Sequence, residues 1–240
     1  MLKSLLSDLS PSHVVYYGDT ARVPYGNKDA KTIIRFSLEA LDFFSDFDLD
    51  LLVVACNTAS ARALSHMQEK TSLPIIGVIE SGVRALLQRG VDKQANVLVI
   101  ATQSTMLSGS YEAALRHEGY TNVTTLATNL FVSLVEERIF SGPVVEAAFR
   151  HYFPPNIRPS VVILGCTHFP LLLDSLRGYF GPSTLFVHSG EAIAAFLQQN
   201  FSIQKGSPSL LEFHASDSVG ALKAAAKLWL GEGDYRIVSP

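Results

Sequence analysis

Short apolar runs alternate with amphipathic segments along most of the chain, and this alternation predicts the fold class. Runs rich in Val, Ile and Leu, such as LDLLVVAC, ANVLVIAT and VVILGC, are typical of buried strands. Segments such as AKTIIRFSLEALDFF carry apolar residues three and four positions apart, which is the spacing of a helix with one buried face. We predict an α/β fold with two similar lobes, each with a parallel-sheet core and helices on both faces, and an active-site cleft between them.

Two cysteines end apolar runs of this pattern in the same way. Cys56 closes the run DLLVVAC and Cys166 closes VVILGC, and each is followed by residues with hydroxyl or amide groups and then by a predicted helix. In open parallel sheets, ligands bind outside the carboxyl ends of the strands, which is where both thiols would lie. The pairing predicts two thiols that face one another across a pocket. Such a pair can move a proton to and from carbon on both faces of a substrate.

Each thiol also has a purely structural interpretation, because free cysteine is among the most buried residue types. A thiol at the first turn of a helix, as predicted for Cys56, meets unpaired N–H groups and the positive end of the helix dipole. Both lower the pKa of the thiol, so a thiolate becomes accessible near neutral pH. The same N–H groups, together with Asn57 and Thr58, predict a cradle for a carboxylate.

His168 follows Cys166 by two residues, with Thr167 between them. The imidazole could exchange a proton with the thiol or donate to a substrate carboxylate, or it could simply cap a helix. A cysteine with a histidine is also found in hydrolases, in which a base activates the nucleophile. Two cysteines without CxxC or His-x-x-x-His spacing do not predict a zinc site, so no metal is expected.

Three other segments carry weaker signals. The loop DTARVPYG contains Pro24, which fixes φ, and Gly26, which allows a backbone conformation closed to other residues, so its amides could face a ligand. The same composition is equally typical of an ordinary strand-to-helix loop. Thr102 follows a strand and precedes a Ser-Gly-Ser helix entry, which is a modest signal for anion binding. Glu136 could turn its carboxylate toward His168 or a thiol, or it could lie on a solvated helix face.

Composition narrows the class of protein further. The chain has 240 residues, of which 48% are hydrophobic and 17% charged, as in a well-packed globular protein. The net charge is −3 and there is no dense run of Lys or Arg, so neither nucleic acid nor an anionic membrane is expected as the principal partner. Apolar stretches stay shorter than the roughly eighteen residues of a membrane span. The start, MLKSLLSDLSPS, is too short and too acidic for a secretory signal, and two cysteines fit a reducing cytoplasm.

Six motifs follow one another along the chain and together resemble the glutamate racemases of the aspartate/glutamate racemase family. They are DTARVPYG, VVACNTASA, GVIESG, ATQSTMLSGSY, NLFVSLVEE and ILGCTHFPLL. The resemblance runs from about Tyr17 to Gly190, and the combination of CNTASA with GCTHFP is specific to this family. Related aspartate racemases carry Glu where this chain has His168, which favours glutamate as the substrate.

The resemblance implies a cofactor-independent racemisation of L-glutamate to D-glutamate, which supplies D-glutamate for bacterial peptidoglycan. One cysteine, as a thiolate, would remove the α-proton while the other, as a thiol, delivers a proton to the opposite face. By matching motif, Cys56 and Cys166 are these two bases, and Glu136 and His168 assist on the Cys166 side. The residues implied in substrate binding are Pro24, Tyr25, Gly26, Asn57, Thr58, Thr102 and Thr167.

The resemblance also implies a domain arrangement. In the family the second of two α/β lobes is inserted in the first, and the protein is usually a homodimer. On this basis we expect residues 1–79 and 189–240 to form the first lobe and residues 80–188 to form the second. A small molecule, glutamate, is the expected substrate.

The chain departs from the family pattern in two places. Family members open with a strand that ends in Asp-Ser-Gly-x-Gly-Gly, whereas this chain starts at the helix LKSLLSDL that follows, so we expect that strand and loop to be lacking. The aspartate of that loop assists the thiol that corresponds to Cys56. Where relatives carry Asp-Ser, this chain has HSGE at 188–191, which leaves His188 without an assigned role. The alternative expectation is a catalytically impaired relative that binds an amino acid or a protein partner.

Overall fold

The structure is a computed structural model that describes residues 1–9, 11–201, 203, 210–231 and 236–238. Within these ranges, helices and strands alternate as the hydrophobic pattern predicts. The α-helices are α1 (Leu2–Asp8), α2 (Ala30–Phe44), α3 (Asn57–Gln68), α4 (Ile79–Gln88), α5 (Gln103–Ser108), α6 (Ser110–His117), α7 (Leu130–Glu136), α8 (Pro143–Tyr152), α9 (Leu173–Phe180), α10 (Ile193–Asn200) and α11 (Val219–Leu230). The strands are β1 (His13–Gly18), β2 (Leu52–Val54), β3 (Ile75–Gly77), β4 (Val97–Ala101), β5 (Val123–Ala127), β6 (Val161–Gly165), β7 (Leu185–His188), β8 (Leu210–Ala215) and β9 (Arg236–Val238).

Strands β4 to β7 form one parallel sheet in the order β5-β4-β6-β7. The two central strands, β4 and β6, are buried along their whole length. Because successive side chains of a strand point to opposite faces, Leu98 and Val162 pack into one core while Val99 and Ile163 pack into another. Continuous apolar runs are what strands with helices on both faces require. This sheet therefore confirms the predicted parallel α/β architecture.

Two smaller parallel sheets form the other half of the molecule. One has the order β1-β8-β9, and the other pairs β2 with β3. Helices α2 and α3 pack beside β2 and β3 around Ala63 and Met67, and α1 packs against α10 around Leu9 and Ile193. Helix α11 packs on β8, which pairs with β1, so the C-terminal segment lies in the half that contains β1.

Among the elements that the sequence patterns did not predict, three have a clear physical reason. Strand β5 contains two threonines and lies at the edge of its sheet, so it lacks the continuous apolar run of a central strand. Strand β8 pairs with β1 from the opposite end of the chain, a partner that a local pattern cannot reveal. Helix α8 begins with proline at its first position, a start signal that the periodicity alone did not expose.

Two short helices follow one another after β4. Helices α5 and α6 are separated by Gly109, which has a φ of 68°. Residues with a side chain rarely adopt this left-handed conformation, whereas glycine adopts it readily. Gly109 therefore ends α5 and sets the direction in which α6 and Tyr111 approach the sheet.

Candidate active site

The carboxyl ends of the central strands carry the predicted site residues. Strand β4 ends at Ala101 and β6 at Gly165, and these two residues are paired in register. The residues that follow, Thr102 and Cys166, therefore lie at the same edge of the sheet. Cys56 comes from the other half of the molecule, just after β2, and occupies the N-cap position of α3. Both cysteines are free thiols, and both lie where the strand–cysteine pattern predicts them.

A row of three polar side chains starts at Cys166. Nδ1 of His168 lies 3.6 Å from the Cys166 Sγ atom, and Nε2 of His168 lies 2.5 Å from Glu136 Oε1. Burial alone would lower the pKa of His168, but the hydrogen bonds to Cys166 and Glu136 and their charges raise it to about 10. The hydrogen bond from His168 lowers the pKa of Glu136. At neutral pH the pair is an imidazolium and a carboxylate, and the imidazolium can donate to the sulfur.

The environment of Cys56 differs from the one that its sequence context indicates. Burial raises the pKa of its thiol, and the charge of Cys166 adds to that rise. The N–H groups of Ala59 and Thr58 and the Thr58 hydroxyl lower the pKa, as expected at a helix N-terminus, but they do not outweigh burial. Burial therefore reverses the lowered pKa that the helix start predicts, and the thiol is the favoured form of Cys56. The Tyr111 hydroxyl is hydrogen-bonded to Asn57, the residue after Cys56, and a Cβ atom on Gly165, the residue before Cys166, would lie 3.1 Å from the ring of the same tyrosine.

Asn57 is the first residue of α3 and has only 2% of its surface exposed. Its side-chain oxygen accepts a hydrogen bond of 2.7 Å from the Tyr111 hydroxyl. Its Nδ2 group has no hydrogen-bond partner within the described part of the chain. Because a buried donor without a partner costs about 1–3 kcal/mol, such a group is well suited to donate to a bound carboxylate.

Three threonine hydroxyls form a buried triangle beside Cys56. The Thr58 Oγ1 atom lies 2.9 Å from that of Thr102 and 3.2 Å from that of Thr105, and the last two are 3.0 Å apart. The side chain of Thr102 also accepts from the Thr105 N–H group and so caps α5. Thr105 was not singled out from the sequence, although its position three residues after Thr102 is the spacing of a helix cap.

The loop DTARVPYG meets this edge of the sheet at Gly26. The composition of the loop predicts an unusual backbone conformation at Gly26, but the φ of Gly26 does not lie in the left-handed region. A Cβ atom at this position would lie 2.6 Å from Cβ and Cγ2 of Thr102, so close approach is the reason for glycine. The carbonyl of Gly26 accepts a hydrogen bond of 3.0 Å from the Ser104 N–H group. The loop is thereby fixed against the start of α5.

The other two predicted residues of this loop take different positions. The Tyr25 hydroxyl donates to the Asp19 carboxylate, which also accepts from Arg22. Burial and this hydrogen bond raise the pKa of Tyr25. Pro24 is exposed. The Tyr25 hydroxyl is thus engaged with Asp19, and Pro24 is not buried.

Thr167 and His188 are the remaining residues that the sequence singles out. Thr167 is half-buried between Cys166 and His168. Nδ1 of His188 accepts from the Gly190 N–H group at 3.1 Å, and the Glu191 carboxylate accepts from the His188 N–H group at 3.2 Å. This reciprocal cap starts a short 3₁₀ helix at the end of β7 and gives His188 a structural role. Burial lowers the pKa of His188.

No group of three or more His, Cys, Asp or Glu side chains in the described ranges has an arrangement that could hold a metal ion. No helix in the same ranges is both long and apolar enough to cross a membrane.

Comparison with known proteins identifies the family. The profile of the Asp/Glu/Hydantoin racemase family matches residues 1–197. The chain belongs to this family. The glutamate racemase of a Nitratiruptor species is 50% identical over 232 residues, which cover 96% of this chain and 91% of the relative.

Solved structures of the racemase family agree with this assignment. The crystal structure of glutamate racemase from Campylobacter jejuni subsp. jejuni is 49% identical and has a TM-score of 0.91, with 95% of this chain and 92% of that chain covered. Glutamate racemase from Francisella tularensis subsp. tularensis, in complex with D-glutamate, is 28% identical with a TM-score of 0.85, with 100% of this chain and 91% of that chain covered. These comparisons confirm the resemblance drawn from the motifs and the two-lobed α/β fold of the racemase family.

Proposed function

We propose that this chain converts L-glutamate to D-glutamate, without a cofactor, by proton transfer between two cysteines. The observation that carries the proposal is the pair of free thiols that follow β2 and β6 in different halves of the molecule, with one residue, Tyr111, contacting the chain neighbours of both, Asn57 and Gly165. Relatives about half identical to the chain are glutamate racemases, and a solved family member holds D-glutamate. The proposed activity is therefore that of an isomerase.

In the proposed reaction, a thiolate takes the α-proton of glutamate and the opposite thiol gives its proton to the other face of the carbon. One carbon–hydrogen bond breaks and another forms, so the two sulfurs exchange their protonation states and the proton count balances. The cationic His168, 3.6 Å from Cys166, supports a thiolate there. The raised pKa of Cys56 keeps that residue as the thiol. We therefore assign Cys166 as the initial base and Cys56 as the initial acid, with Glu136 holding the charge of His168.

Stabilisation of the carbanion is assigned to donors that are already oriented. The α-proton of an amino acid is very weakly acidic, so groups fixed before the reaction must lower the barrier. The Nδ2 group of Asn57 and the hydroxyls of Thr58 and Thr167 are the proposed partners of the substrate carboxylates. Thr102 is assigned the role of orienting the Thr58 hydroxyl, to which it is hydrogen-bonded. Gly26 is assigned a backbone role, because its close approach to Thr102 holds the loop at this edge of the sheet. Burial around Cys56 makes a thiolate formed there more basic toward carbon.

The biological setting is also part of the proposal. D-glutamate would serve peptidoglycan synthesis in the cytoplasm of a bacterium, which is consistent with the family. The proposed assembly is a homodimer, which light scattering of the purified protein tests directly. The proposed lobe division, 1–79 with 189–240 and 80–188, is supported by the placement of β4 to β7 within the second range.

The test is racemisation of glutamate by the purified chain and by variants that lack one thiol. We expect D-glutamate to form from L-glutamate, with solvent deuterium entering at the α-carbon. Cys56→Ala and Cys166→Ala should each reduce racemisation by about 10³-fold, because each removes the proton donor or acceptor on one face. Ser175→Ala is the matched control. It removes a hydroxyl that donates a hydrogen bond to the Phe140 carbonyl and belongs to no proposed site residue, so it should keep full activity.

Other outcomes separate the alternatives. Racemisation that survives both cysteine substitutions would exclude the two-thiol mechanism. An acyl-enzyme on one cysteine, with the other dispensable, would indicate a hydrolase. Exchange with aspartate but not glutamate would overturn the substrate assignment, and binding of glutamate without exchange would favour an amino-acid-binding relative.

A further inference from the structure

We propose that Tyr111 is a positioning residue: its hydroxyl holds the side-chain amide of Asn57 in the orientation that directs Nδ2 to a substrate carboxylate. This inference rests on the proposed function for the identity of the ligand. Tyr111 is the last residue of the ATQSTMLSGSY motif. The motif by itself indicates no role for this tyrosine. It acts through Asn57 and does not itself take part in proton transfer.

The hydrogen bond between these residues joins the two halves of the molecule. Tyr111, on α6, donates its hydroxyl to Asn57 Oδ1 at 2.7 Å, and the two residues are 54 positions apart in the chain. Both are almost fully buried, with exposed fractions of 1% and 2%. An amide has one acceptor end and one donor end, so occupying Oδ1 leaves Nδ2 as the end available to a ligand.

The phenol remains a donor because its proton is retained. Burial raises the pKa of Tyr111, and the charge of Cys166 adds to that rise. A neutral hydroxyl that donates to Oδ1 selects one of the two amide orientations. In the other orientation Nδ2 would donate to the phenol oxygen, and the acceptor Oδ1 would point toward the substrate carboxylate, which carries negative charge.

The residues packed around the Tyr111 ring keep its hydroxyl next to Asn57. A Cβ atom on Gly82, in α4, would lie 2.8 Å from the Tyr111 hydroxyl oxygen. A Cβ atom on Gly165, the residue before Cys166, would lie 3.1 Å from ring atom Cε2. The two glycines come from the GVIESG and ILGCTHFPLL motifs. They form a notch that admits the ring between α4 and the end of β6.

The principal experiment compares Tyr111→Phe with Tyr120→Phe in the full chain. Both tyrosines are 1% exposed, but the Tyr120 hydroxyl donates to the Val91 carbonyl away from the thiols. We expect Tyr111→Phe to lower kcat/KM for glutamate about tenfold, mainly through KM, because the net value of a neutral hydrogen bond corresponds to a change of this size. Tyr120→Phe should change kcat/KM by less than about twofold.

A double-mutant cycle separates positioning from a general structural effect. If Tyr111 acts through Asn57, Tyr111→Phe should have no further effect on kcat/KM in an Asn57→Ala background. An undiminished loss in that background would overturn the proposal. Equal effects of the two tyrosine substitutions in the wild-type background would overturn it too.

A neutron structure of the wild-type protein gives a readout that needs neither a stable variant nor activity. We expect the hydroxyl proton of Tyr111 to point to Oδ1 of Asn57, whereas an Asn57 amide that donates to the phenol oxygen would refute the positioning role. If the wild-type chain does not racemise glutamate, the proposed function fails, and the neutron structure still decides the Tyr111 assignment. The two failures are therefore distinguishable.

Discussion

The charge of His168 is set by its partners on both sides of the ring. Glu136 accepts from Nε2 and the Cys166 sulfur lies beside Nδ1, so the protonated ring is favoured and its pKa rises to about 10. A raised pKa stabilises the folded state fully below the ordinary value of 6.5, and this contribution is lost as the pH rises through about 10. The lowered pKa of Glu136 contributes above its ordinary value of 4.5 and is lost as the pH falls through the lowered value.

At the residue scale, this predicts the effect of Glu136→Gln. The substitution removes a charged partner, so the pKa of His168 should fall toward 6.5 in an NMR titration of the ring proton. The free energy of unfolding at pH 6 should fall by about 1 kcal/mol or less, because the Glu136 carboxylate is more than half exposed and screened by solvent. The difference from wild type should vanish above about pH 10. Glu137→Gln is the control, and a wild-type His168 pKa near 6.5 would contradict the interpretation.

At the scale of elements, helix α4 contains a glycine where its own stability favours alanine. Glycine in a helix interior costs about 1 kcal/mol relative to alanine. Gly82 is nevertheless required by its neighbour, because a Cβ atom would lie 2.8 Å from the hydroxyl of Tyr111 on α6. The ring cannot easily withdraw, since it is buried and hydrogen-bonded to Asn57. The close contact between α4 and α6 therefore outweighs the helix propensity that favours alanine in α4.

Two helical glycines allow this conclusion to be tested. Gly82→Ala should lower the free energy of unfolding by about 1–3 kcal/mol in urea denaturation, because it overpacks a buried contact. Gly178→Ala, in α9, has no atom within 4 Å of the added Cβ and should raise it by up to about 1 kcal/mol. The penalty of Gly82→Ala should shrink in a Tyr111→Phe background, from which the hydroxyl is absent. Equal gains at both glycines would show that the Tyr111 contact imposes no constraint.

At the scale of the whole molecule, buried polar contacts join the two halves around the thiols. The hydroxyl triangle links Thr58 of α3 to Thr102 and Thr105 at the start of α5. The Tyr111–Asn57 hydrogen bond lies beside it, and Arg62 donates from Nε to Ser104. These contacts hold the two thiols in relation to one another, because neither sheet alone contains both. They also make the unfolding of one half dependent on the other.

The triangle provides a test of that dependence. Thr105→Val keeps the shape of the side chain but removes one hydroxyl, so the free energy of unfolding should fall by about 1 kcal/mol. The denaturation curve should keep a single transition with an unchanged slope. Thr124→Val, on the exposed side of β5, is the control and should change stability by less than about 0.5 kcal/mol. An unchanged midpoint for Thr105→Val would contradict a stabilising role for the triangle.

Local patterns in the sequence were sufficient for the architecture and for the positions of the thiols. The continuous apolar runs of β4 and β6 predict strands covered on both faces, and the abrupt change to polar residues after β6 predicts Cys166 at a carboxyl edge. Helix α2 was predicted with the bounds that the structure has, because its apolar spacing is regular. Strand β8 was missed because its partner β1 lies at the other end of the chain.

The sequence by itself determined that two thiols end buried strands in a parallel α/β fold, because strand burial and helix starts are encoded by neighbouring residues. Only the tertiary structure decided the pKa of Cys56 and which side chains lie beside each thiol. The pKa of Cys56 is raised because burial depends on segments distant in sequence, and it outweighs the helix N-terminus that the local pattern revealed. Tyr111 and Thr105 reach Asn57 and Thr58 across 54 and 47 positions, so no local pattern could have paired them.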